Sequence, residues 1–249
     1  MMLSAQLPAQ RWEIFCSVVD NFGDIGICWR LSRQLVAEFR LTVTLWVDDL
    51  TSFQRLCPEV NCQAEQQQLS GVDVRHWHSD IDWQQQQPAN VIIEALACTI
   101  PYAYQQQMAA QRLKPLWLNL EYLSAESWIE DCHTLGSPQP QLPLDKYFFF
   151  PGFTAKTGGL LCEHDLIAER ELWQQDDAGL AAYWASLGLP PKQENELRVS
   201  LFTYESEALR SLVEGWRQSV TPVTLLLPLG RSLDDVLIGA GLVEAIPTA

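Results

Sequence analysis

One repeating order constrains this sequence more than any other feature. A short, nearly continuous apolar run is followed by a polar or Gly-containing turn and then by apolar residues at helical spacing. Residues 12–19 (WEIFCSVV) form the first run, which ends at Asp20-Asn21-Phe22-Gly23-Asp24-Ile25-Gly26. Residues 28–39 (CWRLSRQLVAEF) then carry the helical spacing. Further strand candidates are 41–47, 72–77, 89–95, 115–120 and 147–153, with helical stretches between them. Strands that read as continuous apolar runs are buried on both faces, and their alternation with helices predicts an α/β fold built on a parallel sheet. The Gln-rich segments 66–68, 84–87 and 105–107 read as solvated loop or helix faces, and 138–143 as loop.

Residues 163–187 read as an amphipathic helix, and 188–196 (GLPPKQENE) as a linker. After the linker the cycle restarts, with strands at 197–202 and 223–229 and helices at 205–218 and 232–240. Two βα units leave a parallel sheet with open edges. The expected organisation is therefore a complete first domain over 1–187, a linker over 188–196, and only the first part of a second domain over 197–249.

Composition narrows the function classes. Hydrophobic residues make up 47% of the 249, including ten Trp, which is ample for a core. Sixteen Lys and Arg against 31 Asp and Glu give a net charge of −15, and no basic run exists. A nucleic-acid partner is disfavoured, since phosphate neutralisation needs clustered cations. A local anion pocket built from backbone amides stays open. No apolar stretch is long enough to span a membrane, and residues 1–11 lack the pattern of a secretory signal. Seven cysteines, odd in number and without a CxxC, predict reduced thiols and a cytoplasmic chain.

Four segments could carry chemistry. The turn after the first strand holds two carboxylates, Asp20 and Asp24, with Gly23 and Gly26. Carboxyl ends of strands are where open α/β sheets bind ligands. An Asp N-cap with turn glycines explains one Asp and both Gly equally well, and both readings stand. The turn lacks the third glycine of a dinucleotide fingerprint and the lysine of a P-loop. In Glu121-Tyr122-Leu123-Ser124-Ala125-Glu126-Ser127-Trp128, the serines either act or cap the next helix. In Phe153-Thr154-Ala155-Lys156-Thr157-Gly158-Gly159, turn chemistry is the simpler account. Ser200-Leu201-Phe202-Thr203-Tyr204-Glu205-Ser206 opens a helix and could present amides to a phosphate, with Phe202 or Tyr204 stacking on a base, although an aromatic packed under the helix is the simpler account. Asp48-Asp49 read as capping residues. His76 and His78 share a strand face, but zinc needs further ligands, so a surface or packed pair is the better reading.

Taken together, residues 16–35 (CSVVDNFGDIGICWRLSRQL), 45–50 (LWVDDL), 121–128 (EYLSAESW), 148–161 (FFFPGFTAKTGGLL) and 200–205 (SLFTYE) resemble the EarP family, protein-arginine rhamnosyltransferases of bacterial elongation factor P. The resemblance runs from about residue 12 to near the end of the chain. It implies a GT-B glycosyltransferase of two Rossmann-like domains. It also implies inverting transfer of L-rhamnose from dTDP-β-L-rhamnose to one arginine of elongation factor P, with no metal and no other cofactor. The N-terminal domain is then the acceptor side and the C-terminal domain the donor side.

In this resemblance Asp20 and Asp24 are the catalytic pair, with Asn21, Phe22 and Gly23 beside them in substrate contact. Phe202, Tyr204 and Glu205 match positions near the nucleotide sugar. Arginine is a protonated, poor nucleophile with a pKa above about 12, and two carboxylates can grip its guanidinium and leave one nitrogen free to attack. Asp20 is the expected proton acceptor, and Asp24 the residue that orients the guanidinium. The family pattern continues past residue 249 with an Arg-Gly-Glu-Asp-Ser run that is absent here, so the donor half is expected to be incomplete. A non-catalytic module that binds elongation factor P, and a nucleotide-sugar enzyme with another acceptor, are the rival readings.

Overall fold

The structure, a computed structural model, describes residues 10–19, 22–96, 98–201, 206, 208–227 and 237. The chain divides into two units, Met1–His164 and Asp165–Ala249.

The first unit is an eight-stranded sheet with helices on its faces. Its strands are β1 (Arg11–Cys16), β2 (Thr42–Val47), β3 (Gln66–Leu69), β4 (Val72–His76), β5 (Val91–Ala95), β6 (Leu116–Leu120), β7 (Gly136–Pro138) and β8 (Asp145–Phe149). Its helices are α1 (Gly23–Phe39), α2 (Leu50–Leu56), α3 (Tyr102–Ala110) and the short α4 (Ile129–Cys132). The spatial order is β3-β4-β2-β1-β5-β6-β8-β7. The six inner strands are parallel, and β3 and β7 close the two edges antiparallel. The chain leaves β1 toward β2 and β4, then crosses back to β5 on the other side of β1, so the order of connection reverses between β1 and β5. In open α/β sheets the crevice outside the carboxyl ends at such a reversal is the ligand site.

Side-chain alternation explains why both faces are covered. Ile14 and Cys16, Leu45 and Val47, and Ile93 face a core with Ile25, Cys28, Trp29 and Phe53 of α1 and α2. Phe15, Trp46, Ile92 and Trp117 face a second core with Trp83, Tyr104 and Met108. The buried carboxylates inside these strands are paired. Lys146 Nζ donates to Glu94 Oε2 at 2.9 Å and lies over the Trp117 ring, while Glu94 Oε1 accepts from the Ile100 N–H at 3.1 Å.

Glu13 is buried at 3% exposure, with the Tyr104 hydroxyl donating to it. Burial pushes its carboxyl up to about 7, against the opposing pull of Arg11. A carboxyl pKa raised by folding adds stability that is fully present below the unfolded value and is lost as pH climbs through the folded one. Urea unfolding is therefore expected to show a fall of up to about 3 kcal/mol between pH 4.5 and 7 from this group. Glu13→Gln should flatten that slope, and an unchanged slope would show that the carboxyl is ionised in the native core.

The second unit holds α5 (Leu166–Gln174), α6 (Asp177–Ser186), β9 (Leu197–Ser200), α7 (Ala208–Arg217) and β10 (Val223–Leu226). β9 and β10 pair in parallel across α7, whose Leu209 and Val213 are buried. The single helix expected over 163–187 is two helices, because Asp176 caps α6 by accepting from the Gly179 N–H at 2.9 Å. The second unit begins at Asp165, ahead of this helix pair. Arg198 on β9 stacks over Trp184 of α6 and donates to the Pro190 carbonyl, so the helix pair and segment 188–196 are fastened to β9. The helix expected over 232–240 lies outside the described residues apart from Leu237.

Candidate functional site at the carboxyl end of the first strand

β1 ends at Cys16, and Ser17 to Val19 lead out over the carboxyl edge of the sheet. Asp48, just past β2, fixes this exit by accepting from Ser17 Oγ at 2.5 Å and from the Val18 N–H at 2.8 Å. Asp49 caps α2 by accepting from the N–H groups of Thr51 and Ser52. Of the Asp48-Asp49 pair, then, only the second caps a helix, and the first ties the β1 exit to the neighbouring strand.

Asp24 lies in the first turn of α1 and is fully buried. Its Oδ2 accepts from the Val19 N–H at 2.9 Å and its Oδ1 from the Tyr122 hydroxyl at 3.0 Å. A carboxylate there also complements the positive end of the helix dipole. The N-cap is Phe22, which offers no side-chain cap, and Gly23 opens the helix. Gly26 needs no special backbone, since a Cβ there would meet Leu56 at an ordinary 3.6 Å. Asp24 is therefore not the N-cap residue. Asp20 and Asn21 lie outside the described residues, as do Phe202, Tyr204 and Glu205.

Two neighbouring strand ends meet this exit through Tyr122. Leu96, just past β5, has φ +54, a left-handed conformation that costs a non-glycine residue roughly 1–2 kcal/mol. Its N–H donates to the Leu120 carbonyl at 2.8 Å, and its own carbonyl lies 3.5 Å from the Tyr122 hydroxyl. Tyr122, just past β6, thus joins the first turn of α1 to the turn after β5. The expected signal in this segment was its serines, yet Ser124 only turns back to accept from the Glu126 N–H. Residues 153–159 form a self-bonded turn: Thr157 Oγ1 donates to the Thr154 carbonyl, and a Cβ at Gly158 would strike the Phe149 ring at 2.4 Å.

Cys28 beside Cys16 pushes the Cys16 thiol up, helped by burial, and burial likewise raises Cys98. Among the described residues, metal-ligating side chains gather elsewhere, at Glu65, His76 and His78. No described helix is long and apolar enough to cross a membrane.

Comparison with known proteins meets this geometry from a second direction. The family model described as "Elongation-Factor P (EF-P) rhamnosyltransferase EarP" matches residues 12–245. A protein-arginine rhamnosyltransferase of Pseudomonas putida is 52% identical over 220 residues, covering 88% of this chain and 57% of that protein. One from Shewanella oneidensis is 45% identical over 242 residues, covering 94% of this chain and 61% of its own length. A solved structure described as "Structural basis for EarP-mediated arginine glycosylation of translation elongation factor EF-P" is 30% identical, with a TM-score of 0.53, over 93% of this chain and 54% of that one. The chain thus spans about three-fifths of the length of these curated relatives. With the match running through the β1 exit, the Asp24 turn and the Tyr122 segment, the chain belongs to the EarP family of elongation factor P rhamnosyltransferases.

Proposed function

We propose that this chain is the acceptor-binding domain and the opening of the donor-binding domain of a GT-B glycosyltransferase. The enzyme moves L-rhamnose from dTDP-β-L-rhamnose to one arginine of elongation factor P, inverting the anomeric centre without a metal. One observation carries the reading. In a chain of this family, a buried carboxylate, Asp24, is locked at the carboxyl end of β1 beside the reversal of strand order. The net charge of −15 supports a protein and not a nucleic acid as partner. The seven free thiols support a cytoplasmic setting.

The chemistry follows from the charge state of arginine. A guanidinium nitrogen attacks the anomeric carbon, the bond to the nucleotide oxygen breaks, and dTDP leaves with the electron pair. The new N–C bond would create a second positive charge unless a proton leaves, and Asp20 takes it. Asp24, held by Val19 and Tyr122, orients the guanidinium. Asn21, Phe22 and Gly23 line the acceptor. On the donor side Phe202 stacks on thymine, Tyr204 reaches the sugar or phosphate, and Glu205 lies beside them.

The test is the intact mass of elongation factor P after incubation with dTDP-rhamnose and this chain, beside a relative of full length. One rhamnose added by both confirms transfer by this chain. Transfer by the longer enzyme alone makes this chain a module that binds elongation factor P. No affinity for elongation factor P in a titration points to another acceptor.

A further inference from the structure

We propose that Glu65, His76 and His78 form a binding site for one divalent transition-metal ion of the zinc class, separate from the transfer site and independent of that reaction. One ligand atom from each of the three lies within 4.8 Å of the others. The arrangement is set by backbone, not by chance contact of long side chains. The antiparallel pairing of β3 with β4 continues one step beyond Gln66 and Arg75, because the His76 N–H donates to the Glu65 carbonyl at 3.0 Å. Such cross-strand neighbours have Cβ atoms about 5 Å apart. His78 follows His76 by two residues and therefore shares its face of the extended chain.

Trp77 between them holds the frame from the other side. Its N–H donates to the Val47 carbonyl at 2.8 Å, and its ring packs edge-on against Phe15, with centroids 5.6 Å apart. The two imidazoles are thus half-buried on a strand anchored to the core, with ring centroids 5.1 Å apart. Glu65 is exposed, so its carboxylate can swing at little cost.

The donor set selects the ion. Two imidazole nitrogens and one carboxylate suit zinc and its neighbours, whereas calcium and magnesium take oxygen ligands. Three protein ligands leave a fourth tetrahedral position for water. Tetrahedral zinc places its ligand atoms about 3.4 Å apart, from bond lengths of about 2.0–2.1 Å. His78 Nε2 and Glu65 Oε2 now stand 2.7 Å apart, so the ion moves them apart slightly. His78 Nδ1 accepts from the Asp80 N–H at 3.3 Å, so its Nε2–H faces Glu65. On binding, that proton moves to Nδ1, and the Asp80 N–H in its exposed turn goes to water. The bound ion clamps β3, an edge strand of sequence QQQL in which only Leu69 packs against the core, to β4.

The experiment uses the untagged chain, stripped with a chelator and titrated with Zn²⁺ against a chromophoric competitor, and separately with Co²⁺. One equivalent of each is expected, with visible cobalt bands of a nitrogen and oxygen set and no sulfur-to-cobalt charge transfer. His76→Ala and His78→Ala should each weaken binding by about tenfold or more. Glu65→Gln, at an exposed position that keeps the fold, should do the same, while Cys162→Ser should change nothing. Three results overturn the proposal. These are affinity weaker than about 10 µM, a thiolate cobalt band, or binding that survives all three ligand substitutions.

Discussion

Asp20→Asn, placed in a relative of full length, is expected to lower rhamnose transfer to elongation factor P by about 10³-fold while leaving thermal unfolding unchanged. General-base contributions run to about 10²–10⁴-fold, and the asparagine amide cannot accept the proton that the new N–C bond expels. Asp24→Asn has a different signature. Asp24 is fully buried, and its two oxygens accept from the Val19 N–H and the Tyr122 hydroxyl. An amide presents an N–H to one of those donors. Transfer should therefore fall together with stability, the latter by about 1–3 kcal/mol. Intact-mass assays and urea unfolding on both variants separate the two roles. Full transfer by Asp20→Asn would remove that residue from the mechanism, and an Asp24→Asn variant of unchanged stability would show that its hydrogen bonds are dispensable.

Lys146→Ala is expected to destabilise the first unit by about 3 kcal/mol, the lower end for breaking a buried ion pair. The loss arises because Glu94, 2% exposed on β5, is left with only one of its two partners. Its other oxygen holds the Ile100 N–H, so the segment after β5 loosens as well. The double variant Glu94→Gln/Lys146→Met should recover most of the loss, since removing both charges removes the desolvation cost. A single-variant loss under about 1 kcal/mol would mean that water reaches the pair.

Several elements were readable from local pattern alone. The parallel inner strands announced themselves because burial on both faces demands continuous apolar runs, as in residues 43–47 (VTLWV), which are all buried. β3 escaped detection because an edge strand need not be apolar, and its Gln residues satisfy polar contacts at the rim, as Gln66 does with Asp73. The break between α5 and α6 turned on one capping bond at Asp176 that the apolar spacing does not register.

The same division runs through the two sites. The position of Asp24 just past the first strand was legible, and the five family segments placed the chain in its family. Tyr122 as the partner of Asp24 was not legible, since 98 residues separate them and only the parallel register of β1, β5 and β6 brings their ends together. Glu65 was likewise absent from any spacing argument about His76 and His78, because a cross-strand neighbour is fixed by pairing and not by sequence distance. Apolar patterning and turn chemistry are local, so the amino-acid order by itself determined the α/β class, the β1–α1 turn and the kinship. Which distant side chains meet depends on strand order and register, and those only the packed sheet decided.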